Sequence, residues 1–172
     1  MKNKLVFYIV LFVALITSQI LIFNQLELGY GVHIMIYPMF ILLLPFDIRP
    51  VTLMVIAFFT GITIDWFTNS FGLHTSSAVL LAYLRPRLFS ILEPRDGYDS
   101  LKTPLIRDMG RSWFMTIYLI GLVIHHFWFF LIEVFKLYEI LFILQKTILS
   151  SIFSFLTILL IQVVFFSKQK EL

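Results

Sequence analysis

The sequence contains no cysteine, which excludes a disulfide framework, a thiolate nucleophile and any cysteine-ligated metal centre. It is also poor in charge: Asp, Glu, Lys and Arg make up 13% of 172 residues, against about 25% in a soluble domain. No Gly-rich phosphate loop, His-Glu-x-x-His helix or Gly-x-Ser-x-Gly elbow is present, and neither an internal repeat nor a low-complexity tract interrupts the chain. The net charge of +3 follows from where basic residues sit relative to a membrane, and carries no nucleic-acid signal.

What the sequence has in abundance is apolar surface. Hydrophobic residues reach 60% and the mean hydropathy is +0.96, more than a water-soluble core absorbs. Apolar runs of roughly 20 residues recur along the chain, each long enough to cross about 30 Å of hydrocarbon. The expected fold is therefore an all-α integral membrane protein, a single transmembrane domain over residues 1–172. About six transmembrane helices are expected, near 4–23, 32–46, 51–69, 73–92, 112–132 and 144–167. Lys2 and Lys4 before the first run imitate a signal peptide. The run is longer than a typical h-region, and Thr17-Ser18-Gln19 is no cleavage site, so it is read as an uncleaved span. The second span is short and ends near Pro45, which leaves it either tilted or only partly inserted. Short connections make spans 2, 3 and 4 consecutive antiparallel hairpins.

Orientation follows from the basic residues. With the N-terminus inside, cytoplasmic segments hold Lys2, Lys4, Arg49, Arg85, Arg87, Arg95, Lys102, Arg107, Arg111, Lys168 and Lys170, and external segments only Lys136 and Lys146. This is the positive-inside bias, and it predicts cytoplasmic termini. The charged loop 93–111 is read as a solvated linker or as a docking surface for a cytosolic protein. Arg95, Arg107 and Arg111 in this loop, with Arg85 before it, are the cytoplasmic docking candidates.

Ionisable groups inside a membrane are costly and usually have a purpose. Asp65, about 14 residues into its span, lies in the outer third of the membrane, and His125, His126 and Gln19 reach a similar depth. These four are expected to form a buried polar layer. It is read as a structural clasp between the first, third and fifth spans, or as a proton relay, metal site or substrate pocket. Adjacent histidines lie about 100° apart on a helix and do not converge easily on a metal. The one candidate for a carboxylate dyad, Glu133, lies at the outer interface. No catalytic, cofactor-binding or metal-binding residue is therefore assigned. Asp65→Asn is expected to be mild and Asp65→Leu worse.

Small residues mark close helix contacts in membranes. Gly61 shares a face with Asp65 and is continued by Gly72. Thr75, Ala78 and Ala82 form one stripe, and Ser150, Ser154 and Thr157 another, whose partner is this chain or a different one. Trp66, Trp113 and Trp128 are expected to anchor helices at the membrane boundaries.

Three motifs combine in the stretch from Phe46 to Tyr98: Pro45-Phe46-Asp47; Gly61-Ile62-Thr63-Ile64-Asp65 followed by Gly72-Leu73-His74; and Tyr83-Leu84-Arg85-Pro86 leading to Pro94-Arg95-Asp96-Gly97-Tyr98. This stretch resembles the MreD family of rod shape-determining membrane proteins. The resemblance implies a non-enzymatic subunit of the cell-elongation (rod) complex in the bacterial cytoplasmic (inner) membrane. Among membrane lipids, it would bind an MreC-like protein and help organise peptidoglycan synthesis and cell shape. Through the complex it would meet MreB and the pair formed by a SEDS glycosyltransferase and its transpeptidase. The family is similar in helix count and packing to the S-components of energy-coupling-factor transporters. A substrate-binding subunit of a vitamin transporter is accordingly the alternative expectation.

Overall fold

The computed structural model describes residues 2–26, 28–29, 31–99 and 101–166, with the side chains of residues 2–4 left aside. Lys168, Lys170 and Ser167, assigned above to the cytoplasmic end of the last span, lie outside the described residues, as do the side chains of Lys2 and Lys4. The protein is all-helical, 76% helix, with no strand among the described residues. In chain order the helices are α1 (Lys2–Leu21), α2 (Pro38–Leu43), α3 (Pro50–Thr68), α4 (Leu73–Ser90), α5 (Ile106–Met109), α6 (Arg111–Val134) and α7 (Ile140–Phe166).

Four segments, Leu5–Gln25, Pro50–Thr68, Arg111–Val134 and Leu137–Phe166, are helical, long and apolar enough to cross a membrane. The α4 helix has 18 residues, but His74, Arg85 and Arg87 make it too polar to join them by hydropathy.

The segment expected as a second spanning helix, 32–46, takes a different form. Residues 32–36 are non-helical, and only the six residues of α2 are helical. Pro38 opens α2, where its missing N–H is not needed, and the chain leaves helical conformation at Leu44, before Pro45, as residues preceding proline tend to do. Met35, Ile36, Tyr37, Met39, Ile41, Leu42 and Leu43 are all 1% exposed or less. This burial is the condition for such a conformation, because non-helical backbone at membrane depth survives only inside protein or beside water. At about 3.3 Å per extended residue and 1.5 Å per helical one, residues 32–43 reach roughly 30 Å.

Around this central segment, α3 packs along α4, and α6 packs against both α4 and α7. Pro50 starts α3 and Asn69, left-handed at φ +52°, ends it. Gly72, left-handed at φ +92°, completes the turn into α4. Among the described residues no heavy atom lies within 4 Å of where its Cβ would be, so Gly72 serves the turn and not a helix contact. One end of the bundle gathers Arg49, Arg85, Arg87 and the 93–111 loop.

Much of that loop is exposed, as in a solvated linker, and it is anchored at Tyr98. Tyr98 stacks on Phe46 with ring centroids 4.3 Å apart. Its hydroxyl donates to the Phe89 carbonyl at 2.7 Å and accepts from Trp113 Nε1 at 2.9 Å. Burial raises the Tyr98 phenol above its ordinary pKa, so it stays a neutral donor. Farther along, Tyr118 donates to the Pro104 carbonyl at 2.8 Å. Trp113, expected at a lipid boundary, is 6% exposed and belongs to this aromatic cluster.

Candidate functional site

Gln19, Asp65, His125 and His126 are all buried, yet among the described residues none of the four hydrogen-bonds to another. The central segment and the turn before α4 divide them among three sets of partners.

The first set closes the α3–α4 hairpin. Asp65 Oδ1 accepts from the backbone N–H of His74 at 3.0 Å and from Ser70 Oγ at 2.6 Å. Asp65 Oδ2 accepts from the Thr75 N–H at 2.9 Å and its hydroxyl at 2.5 Å. His74 Nδ1 lies 3.0 Å from Oδ1, and since a carboxylate only accepts, it is the proton-bearing nitrogen. The first N–H groups of a helix have no intrahelical partner and carry its positive partial charge. Gly72 offers no capping side chain, so a carboxylate from the preceding helix supplies the cap. The Asp65 partners are thus His74, Ser70 and Thr75, none of which belongs to the expected layer.

The second set satisfies the non-helical segment. Its amides are shared between two neighbours. Facing α7, the His33 N–H donates to Ser150 Oγ at 3.0 Å and the Met35 N–H to Ser154 Oγ at 2.8 Å. Facing α1, Gln19 Oε1 accepts from the Ile36 N–H at 2.7 Å, and Gln19 Nε2 donates to the Ile34 carbonyl at 3.0 Å. Ser150 and Ser154 therefore receive a segment of their own chain, one of the two kinds of partner that their stripe left open. Thr157, in the same stripe, is half-buried and donates to its own Phe153 carbonyl at 2.9 Å.

The third set joins α6 to the centre. His126 Nδ1 lies 2.8 Å from the Leu122 carbonyl, which only accepts, so Nδ1 carries a proton. In the neutral ring Nε2 then accepts from Ser154 Oγ at 3.1 Å, and this hydroxyl is left to receive the Met35 N–H. His125 turns elsewhere: its Nε2 is 2.6 Å from the Tyr37 hydroxyl, which is also 3.4 Å from the His74 carbonyl.

Arg85 is the largest departure among the docking candidates. It is 2% exposed and its guanidinium donates to the carbonyls of Leu42, Leu44 and Pro45. Leu42 lies in the last turn of α2, Leu44 is its C-cap and Pro45 follows, so the cation sits where helix carbonyls lack intrahelical partners. The guanidinium also sits over the Phe89 ring, 4.3 Å from its centroid. Arg95, Arg107 and Arg111 are exposed. Lys146, expected in an external loop, is a buried residue of α7, 2.5 Å from Glu133 and 4.6 Å from the Phe130 centroid.

Gly61 completes the site. A Cβ there would meet the Thr75 Cα at 2.3 Å, so α3 and α4 touch through backbone, with Ala78 and Ala82 wholly buried in α4. Among the described residues no three His, Asp or Glu side chains gather as a metal site. Glu133 is engaged by Lys146. No family model, no curated protein and no solved structure matches this chain.

His74, Tyr37, Ser70 and the structural role of Arg85 escaped depth-based reading. His74 and Arg85 did stand in the motif-bearing stretch. Tyr37 and Ser70 carried no spacing signal, because their partners come from a turn and a non-helical segment.

Proposed function

We propose that this chain is a non-enzymatic, MreD-like membrane subunit of the bacterial cell-elongation complex. One observation carries the reading: Gly61, Asp65, His74 and Arg85, all in the MreD-like stretch, serve to hold parts of the chain together. Such residues build a rigid scaffold. In this reading it binds an MreC-like protein, and through the assembly MreB and the SEDS glycosyltransferase–transpeptidase pair.

The proposed topology has six crossings in the inner membrane, with both termini cytoplasmic. The four long apolar helices supply four. The central segment, about as long as the hydrocarbon is thick, and α4 supply the others. The distribution of Lys and Arg supports this orientation. Reporter fusions after Gly72 and Lys136 should then read external, and a fusion after Asp96 cytoplasmic.

The vitamin-carrier alternative is less well supported, because Met35 to Leu44 fill the interior around which the polar groups are arranged. Depletion of the protein tests the two readings. Rounded cells with continued division are expected of an elongation subunit. Cells that keep a rod shape but fail to take up a vitamin would replace the scaffold reading with the carrier one.

A further inference from the structure

At the end of the bundle that carries the 93–111 loop, a pocket of about 430 Å³ opens between α5, the start of α6 and the last turns of α7. Arg107 and Arg111 line it, both exposed, together with Gln162, which is 3% exposed. The Gln162 amide nitrogen is buried and has no hydrogen-bond partner among the described residues. Leaving such a donor unpaired in a dry environment costs about 1–3 kcal/mol. Met115, Leu159 and Val163 make the pocket's apolar wall.

Each polar group here asks for an acceptor of negative charge. Arg107 reaches Asp108 only through a half-exposed contact of 3.4 Å, and Arg111 has no ion-pair partner among the described residues. The α6 N-terminus adds its positive end, since Gly110 supplies no side-chain cap. A small soluble anion would answer the charges but leave the apolar wall and the deep amide unused. An amphiphile answers all of them.

We infer that this pocket binds an anionic glycerophospholipid. Its phosphate lies between Arg107 and Arg111, a phosphate or ester oxygen accepts from Gln162 Nε2, and an acyl chain runs along Met115, Leu159 and Val163. Basic pockets between membrane helices take anionic headgroups in this manner. The inference rests on the chain's lying in a membrane and is independent of the elongation-complex reading.

The test uses the full chain in nanodiscs with equal phosphatidylglycerol and phosphatidylcholine, released for native mass spectrometry. Phosphatidylglycerol should be retained in clear excess, and the Arg107→Gln, Arg111→Gln double variant should retain it on the order of tenfold less. Gln162→Leu keeps both charges and should reduce retention through the lost donor. Arg95→Gln, outside the pocket, should leave it unchanged. Thermal midpoints of the same samples report folding. Equal retention of the two lipids, or an unchanged preference in a folded double variant, would overturn the assignment. So would loss of the preference on adding excess inorganic phosphate, which would assign the pocket to a free anion.

Discussion

Gly61 and Thr75 meet backbone to backbone, with 2.3 Å between the Thr75 Cα and the place a Gly61 Cβ would occupy. No rotamer change relieves such a contact. Gly61→Ala should force α3 and α4 apart and cost on the order of 3 kcal/mol or more, beyond ordinary overpacking. A thermal midpoint in detergent equal to that of the unaltered protein would contradict this packing.

Asp65 receives donors on both oxygens, and two of them are the backbone N–H groups of His74 and Thr75, which cannot turn round to accept. Asparagine offers one acceptor and an NH₂ group, which then faces a fixed donor. The structure therefore revises the expectation of a mild Asp65→Asn. That variant should lose about 1–3 kcal/mol, and Asp65→Leu more. Midpoints for the three proteins check the order, and an asparagine variant as stable as the original contradicts the cap.

The non-helical segment depends on borrowed acceptors. Gln19→Leu removes the acceptor of the Ile36 N–H and the donor to Ile34, and Ser154→Ala orphans the Met35 N–H. Each should cost about 1–3 kcal/mol, and hydrogen exchange at Met35 and Ile36 should quicken. Ser154→Leu should lower the amount of folded protein itself, not only its partner binding. Unchanged exchange protection in Gln19→Leu would count against the segment's described path.

Lys146 and Glu133 form a pair in which the lysine side chain is 8% exposed. Removing one partner leaves a charge in an apolar setting, a loss of about 3–5 kcal/mol, whereas replacing both by apolar residues is often close to neutral. Glu133→Leu should thus be more damaging than Glu133→Leu with Lys146→Met. Additive losses in this double-mutant cycle would show that the two side chains are not coupled.

The long helices α1, α3, α6 and α7 were legible because length and hydropathy alone mark a span. The 32–46 stretch was not. An apolar run of that length has the same composition whether it is helical or extended and buried, and the Pro38 and Pro45 that bound α2 were its only local signals. The misreading propagated. If residues 33–36 are helical, their amides need nothing, and Gln19, Ser150 and Ser154 seem free for other partners. The burial of Gln19, Asp65, His125 and His126 is legible from the cost of polar groups in apolar spans, but their pairing is not. Asp65 finds His74 and Thr75 because the Asn69 to Gly72 turn aims a helix N-terminus at it, a relationship that hydropathy does not encode. Arg85 is hidden for the same reason, since a positive-inside tally does not distinguish a basic residue in water from one holding the carbonyls of Leu42, Leu44 and Pro45.

The central proposal is that this helical bundle serves as a binding subunit of the elongation complex. Its most direct measurement is affinity capture of the full chain from native membranes, with identification of what accompanies it and a parallel search for bound small molecules. The account predicts an MreC-like bitopic protein together with the glycosyltransferase–transpeptidase pair. Capture of the chain with a bound vitamin and transporter ATPase subunits, and without any of those proteins, would contradict it.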